Sequence, residues 1–111
     1  MSVQIFGTKK CKNTQKALRF FKERGVQVHF VDLTQKKLSA GELRNVSRSV
    51  PLEDLIDKEC QEYKKKNLAY MSFDLEETLL ENPMLLKTPI VRSGQKSTVG
   101  HDPDGWKTFV D

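Results

Sequence analysis

Residues 3–24, VQIFGTKKCKNTQKALRFFKER, decide the fold of this chain. Val3, Ile5 and Phe6 have the apolar character of a short strand, and Gly7-Thr8 interrupts it. From Lys12 onward the period changes. Thr14, Ala17, Leu18 and Phe21 fall on one face of a helix, and Gly25 stops it as a residue that tolerates positive φ. Cys11 stands between strand and helix, where it meets unpaired backbone N–H groups and the positive end of a helix dipole. Both favour thiolate over thiol. Lys9, Lys10 and Lys12 surround it in sequence and are expected to push the equilibrium the same way. The alternative is a small apolar residue in a loop, but buried structural cysteines rarely come with three such neighbours. Cys11 is therefore read as a nucleophile.

Working outward, residues 26–31 (VQVHFV) alternate as a second strand. A helix links the two strands, so they form a β-α-β unit with parallel strands and a right-handed crossover. His29 falls on the polar side of this strand, far in sequence from the cysteine loop, and is assigned no proton-transfer role. Asp32-Leu33-Thr34 leaves the sheet and QKKLS connects. From Ser39 the pattern is helical as far as Asn82-Pro83. Ser39 and Glu42 have capping-box spacing, with Leu43 and Val46 facing inward. Pro51 fits the first turn of a helix in which Leu52, Leu55, Ile56 and Tyr63 share a face. Cys60 lies on that face too, so it is expected to be mostly buried and to pack; the sharper alternative is a resolving thiol for oxidised Cys11. KKKN at 64–67 reads as a solvated helix end, and Asp74 with Glu77 opens another helix carrying Leu75, Leu79 and Leu80.

The last third returns to sheet. Thr88-Pro89-Ile90-Val91-Arg92 is a strand, Ser93-Gly94 a turn, and Gln95 to Val99 an antiparallel return. Asp102-Pro103 then combines an N-cap with proline at the first helical position, and Trp106, Phe109 and Val110 dock a final helix. The order is β-α-β, helical block, β-β, α. This is the order of an α/β thioredoxin-like fold, here one domain over residues 1–111. Its mixed four-stranded sheet carries a helical insertion at about 39–82 between the βαβ and ββα halves. In such a fold Pro89 faces the cysteine loop, where a cis bond would serve a purpose.

Composition agrees. The 111 residues suffice for one core, and 37% hydrophobic with 31% charged residues describe an ordinary water-soluble chain. MSVQIFGTKK lacks the apolar run of a signal peptide, and no later segment has the length to span a bilayer. Two cysteines make no disulfide framework, which points to the reducing cytoplasm. The net charge of +4 hides an asymmetry: residues 1–30 carry seven basic groups against Glu23 alone, whereas residues 51–81 carry nine acidic groups against four lysines. A basic first third suits an anionic substrate or a glutathione-like thiol. Lys16, Arg19 and Lys22 turn away from the apolar stripe and read as a solvated helix face.

Four features together resemble the arsenate reductase family, which also contains the Spx-type transcriptional regulators. They are the IFGTKKCKNTQKAL opening with its single cysteine, the ENPMLLKTPIV segment, the VGHDPDGW ending, and the length. They cover the chain nearly end to end. The resemblance implies a thioredoxin-like domain whose Cys11 attacks an oxidised substrate, classically arsenate, with glutathione and glutaredoxin completing turnover. Lys10, Lys12, Asn13, Thr14, Thr88 and Pro89 are then expected around the substrate, with Arg92, which alternation could point either way, as a partial substitute for a family arginine.

The chain departs from the family's pattern in ways that bear on chemistry. Thr88 stands where the reductases carry an arginine before the strand-opening proline. The helical block offers Asp57-Lys58-Glu59 where members commonly have another arginine, and Gly100 is followed by His101-Asp102 in place of a further basic residue. Thr14 occupies the second position of the Cys-x-x-Cys seen in many Spx-type members. A guanidinium holds an oxyanion by a bidentate fork that a threonine hydroxyl cannot imitate, so weak arsenate reduction is expected. The expectation is a thiol oxidoreductase with no bound cofactor or metal, using glutathione or a glutaredoxin-type donor as co-substrate, and monomeric. The alternative is a regulator that binds RNA polymerase. Direct nucleic-acid binding ranks below both, because the basic residues lack interleaved aromatics in sequence.

Overall fold

The computed structural model describes residues 2–58, 60–65 and 74–110. Strand β1 (Ser2–Gly7) leads through the cysteine loop into α1 (Lys12–Glu23), and β2 (Gln27–Asp32) follows. Thr14, Ala17 and Phe21 are buried along α1, and Gly25 takes φ 69° where the helix ends. β2 closes in a turn in which Asp32 Oδ1 accepts from the Thr34 N–H and hydroxyl at 3.0 and 2.7 Å.

The helical block comprises α2 (Ala40–Ser47), α3 (Leu52–Leu55), α4 (Gln61–Lys65) and α5 (Leu75–Glu81), followed by a 3-10 turn, Pro83–Leu85. Ser39 and Glu42 form the reciprocal capping box, and Asp74 caps α5 by accepting from the Glu77 N–H at 3.0 Å. The sheet resumes with β3 (Ile90–Ser93) and β4 (Lys96–Val99), and α6 (Pro103–Thr108) ends the chain's regular structure. Asp102 caps α6 through the Gly105 N–H. Gly105 lies so close to Asp102 and Thr98 that a Cβ there would collide with both, which keeps the start of α6 flush on the β4 strand.

The sheet order is β2-β1-β3-β4, with β1 and β2 parallel and the other pairs antiparallel. Alternation along the strands divides the core in two. Val3, Ile5 and Val91 pack against α1 and α6 with Ala17, Phe21, Trp106 and Phe109. Phe6, Val31 and Ile90 pack on the other face against the helical block, with Leu43, Val46, Leu55, Leu79 and Leu85. The fold is thioredoxin-like, as its order of elements implies.

The helical block departs from expectation at its centre. The single helix read from Pro51 through Tyr63 does not form: Pro51 is the N-cap of a helix that ends at Leu55. Ile56 instead makes an antiparallel bridge with Leu86. The Lys87 N–H donates to the Leu55 carbonyl and the Asp57 N–H to the Leu85 carbonyl, both at 2.7 Å. The apolar stripe is real, because Leu55 and Ile56 are buried, but backbone pairing with the segment before Pro89 outcompetes the helical ladder. Glu59 and the Lys66-Asn67 part of KKKN lie outside the described residues. No helix among the described residues is long and apolar enough to cross a membrane.

Candidate active site

Three segments meet at the end of the sheet where β1 leaves and β3 enters. The first is the loop from Thr8 to Cys11. It is pinned by the Cys11 N–H donating to the Thr8 carbonyl at 3.2 Å and by Gln15 Nε2 donating to the Lys9 carbonyl at 2.6 Å. The second is the first turn of α1, for which Cys11 is the N-cap residue in extended conformation, with φ −75° and ψ 119°. The third is Thr88-Pro89, whose peptide bond is cis. Gly7 makes the junction possible: a Cβ on it would collide with the Thr14 side chain, so the lack of one lets the helix start sit directly on the strand end.

Cys11 Sγ is half-buried here. Thr88 Oγ1 donates to it at 3.0 Å, and Sγ as a thiol faces the Thr88 carbonyl at 3.8 Å. A thiolate keeps the first contact, since it accepts, and has no proton for the second. Partial burial pushes the Cys11 thiol up. Against it the Thr14 hydroxyl, the Thr88 hydroxyl and the Thr14 and Asn13 N–H groups pull it down, and together they hold it below the usual thiol range. The Thr14 hydroxyl is fully buried and, like the N–H groups of the first turn, does not reach full hydrogen-bond geometry with the sulfur. These groups act as dipoles around a thiol and are poised to become donors once the sulfur is charged.

This corrects one expectation. Lys9, Lys10 and Lys12 are exposed, and their charges are not among the causes of the lowered thiol. The depression comes from hydroxyls and amides, three of them on α1 and one 77 positions away on the approach to β3.

The other residues divide clearly. Asn13, Thr14, Thr88 and Pro89 join Cys11 at one place, with Pro89 and Thr14 buried and Asn13 and Thr88 half-buried. Arg92 does not join them. It pairs across the sheet with Gln4 and Ser97, on the same face as Ile90 and Phe6, with its guanidinium 5.9 Å from the Phe6 ring centroid. That face packs against the helical block, whereas Cys11 caps the helix on the opposite face. His29 is exposed on the β2 strand, as its alternation implies. Cys60 is half-buried rather than mostly buried, packed beside Tyr63 at the margin of the helical-block core. Burial alone therefore does not distinguish the two cysteines; their polar surroundings do. Among the described residues no cluster of His, Cys, Asp and Glu has the arrangement of a metal site.

What sequence reasoning missed is the role of Thr88 toward the thiol itself. The signal available was a hydroxyl residue directly before a proline that opens a strand antiparallel to β1. The fold order already brought Pro89 to the cysteine loop; what it did not show was that the Thr88 hydroxyl donates to the sulfur.

Comparison with known proteins bears on this geometry. The model of a family described as the ArsC family matches residues 6–109. The chain is 28% identical to the global transcriptional regulator Spx 2 of Oceanobacillus iheyensis, over 99% of this chain and 84% of that one. It is 26% identical to the arsenate reductase of Haemophilus influenzae, over 94% and 95% of the two chains. In structure it is similar to an arsenate reductase from Vibrio cholerae, with a TM-score of 0.85 at 21% identity, covering 98% of each chain.

Proposed function

We propose that this chain, which belongs to the ArsC family, is a thiol oxidoreductase whose nucleophile is Cys11 and whose co-substrate is glutathione. A thiol-redox function of the ArsC kind is what the family supports; glutathione and the details of turnover are this proposal's own. The observation that carries it is the donor set converging on one sulfur, with the Thr88 hydroxyl at 3.0 Å and the Thr14 hydroxyl and helix-start amides behind it.

In the proposed cycle the Cys11 thiolate attacks one sulfur of a glutathione disulfide. The Cys11–glutathione S–S bond forms as the original S–S bond breaks, and one glutathione leaves as a thiolate that takes a proton from water. A glutaredoxin-type thiol, attacking as its thiolate, then takes the glutathione sulfur of the mixed disulfide. Cys11 is released as thiolate, the donor departs as its own mixed disulfide with glutathione, and the net change is transfer of one glutathione from glutathione disulfide to the donor. The Thr88 hydroxyl and the first-turn amides stabilise the sulfur each time it is charged, as attacking group and as leaving group. Reduction of arsenate would need the oxyanion held over the sulfur as well. Thr88 offers one hydroxyl where the resemblance calls for a guanidinium, and Arg92 lies on the other sheet face, so arsenate turnover is expected to be slow.

The test is mass spectrometry of the intact chain after oxidised glutathione, and separately after arsenate, each followed by reductant. A reversible glutathione adduct on wild type that disappears completely in Cys11→Ser supports the reading. An adduct confined to Cys60, or none, overturns it. A second reading rests on the 28% identical relative named as a global transcriptional regulator: the chain is a regulator that binds RNA polymerase. Co-purification with RNA polymerase that survives Cys11→Ser, without a glutathione adduct on wild type, would favour that reading.

A further inference from the structure

The geometry points to a docking surface for an acidic segment of a partner protein, built where α1 crosses the start of α6. A shallow groove of about 320 Å³ is lined there by Lys16, Arg19, Phe20, Glu23, Arg24, His101, Pro103 and Trp106. Four planar groups run in series along it. The Arg24 guanidinium carbon lies 3.6 Å from the Phe20 ring centroid. The Phe20 centroid is 5.4 Å from that of Trp106, and the His101 ring stacks on Trp106 at 5.5 Å with only 11° between planes. In sequence these aromatics are scattered among basic residues without pattern; the fold interleaves them.

The arrangement pre-orients one cation, Arg24. Arg24 Nη1 donates to the Phe20 carbonyl at 3.1 Å, which together with the ring fixes the plane of the guanidinium and leaves further N–H donors free. None of Lys16, Arg19 and Arg24 is paired with a carboxylate within 4.0 Å among the described residues, although Glu23 shares the groove. By contrast Arg44, on the helical block, is satisfied by Glu76 at 3.1 Å. A guanidinium already ordered and unpaired loses less freedom when it grips a carboxylate. Three cationic side chains along α1 and its C-cap therefore favour a run of Asp and Glu, with Glu23 the acidic group that lines the groove.

A single-stranded nucleic acid fits less well. Trp106 is only 1% exposed and Arg24 already covers Phe20, so the ring faces that bases would stack on are occupied. The surface lies along α1 away from the contacts of Cys11, and the proposal does not depend on Cys11 chemistry.

The test uses a dye-labelled peptide of alternating Glu and Gly, which has no thiol, and a labelled oligothymidine of matching length. Binding is read by fluorescence polarisation, and the Trp106 indole N–H resonance reports on the site because Trp106 is the only tryptophan of the chain. Two double variants are compared, Arg19→Gln with Arg24→Gln and Lys16→Gln with Arg19→Gln. The second removes no stacked group and so guards against misfolding of the first. Lys64→Gln with Lys65→Gln on α4 is the control of equal charge. The expected result is that the peptide moves the indole signal, that salt weakens binding, and that both groove variants lose about tenfold or more while the control does not. Absence of binding, equal loss in the control, or tighter binding of the oligothymidine through the same residues would overturn the proposal.

Discussion

The two faces of the sheet are covered in different ways. On one face α1 is a single helix of 12 residues whose buried positions follow its own period. On the other, short helices are joined by a stretch of strand-like pairing, with Leu55, Ile56 and Asp57 tied to Leu85, Leu86 and Lys87. The first arrangement is local and places Cys11. The second is non-local and fixes the chain just before Thr88, so the donor that reaches the sulfur across the sheet depends on a bridge made by the helical block. The site is thus assembled from one element that folds by its own pattern and one that is positioned by a neighbour distant in sequence.

That comparison breaks most readily at Leu55, which is fully buried under the bridge. Leu55→Ala should cost about 2–5 kcal/mol, measured by urea unfolding, through the cavity it leaves. If the bridge positions Thr88, the same variant should also move the pH midpoint of Cys11 alkylation upward. A stability loss without any change at Cys11 would show that the approach to Pro89 holds itself. On the α1 side the corresponding probe is Gly7→Ala. Its Cβ collides with the Thr14 side chain, so a loss of about 1–3 kcal/mol and slower Cys11 alkylation are expected. The smallest effect sharpens the contrast. Ser39→Ala removes the α2 capping box at a cost of about 1 kcal/mol, and since α2 does not carry the bridge, Cys11 alkylation should be unchanged.

The same difference explains what the sequence made legible. The strands, α1, and the caps at Ser39, Asp74 and Asp102 were readable because each is decided within a few residues of itself. The break at Ile56 was not, since the spacing of Leu52, Leu55, Ile56 and Tyr63 suits a helix as well as a bridge, and the deciding partner, Leu86, is remote. At the candidate site, Cys11 stood out from its loop, and the gathering of Asn13, Thr14, Thr88 and Pro89 around it followed from the resemblance and the strand-opening proline. The cause of the thiol's acidity was not legible. Three lysines adjacent in sequence drew attention from two threonines, yet the lysine side chains extend into solvent while the threonine hydroxyls and helix-start amides surround the sulfur. The direction of Arg92 was open in the sequence for a similar reason. Strand alternation sends it to the face opposite α1, and only the register against Gln4 and Ser97 reveals which face that is.

The central claim is that hydroxyls and amides, not lysines, hold Cys11 below the usual thiol range. It is tested most directly by the pH dependence of Cys11 alkylation in a Cys60→Ser background. The rate follows the thiolate fraction, so a lowered thiol places the rising limb at lower pH than for a free cysteine. Removing a donor that favours the charged sulfur must move that limb to higher pH. Thr88→Val is predicted to shift it upward, while Lys9, Lys10 and Lys12 changed together to Gln leave it in place. A midpoint that rises in the lysine variant and stays fixed in Thr88→Val would contradict the account.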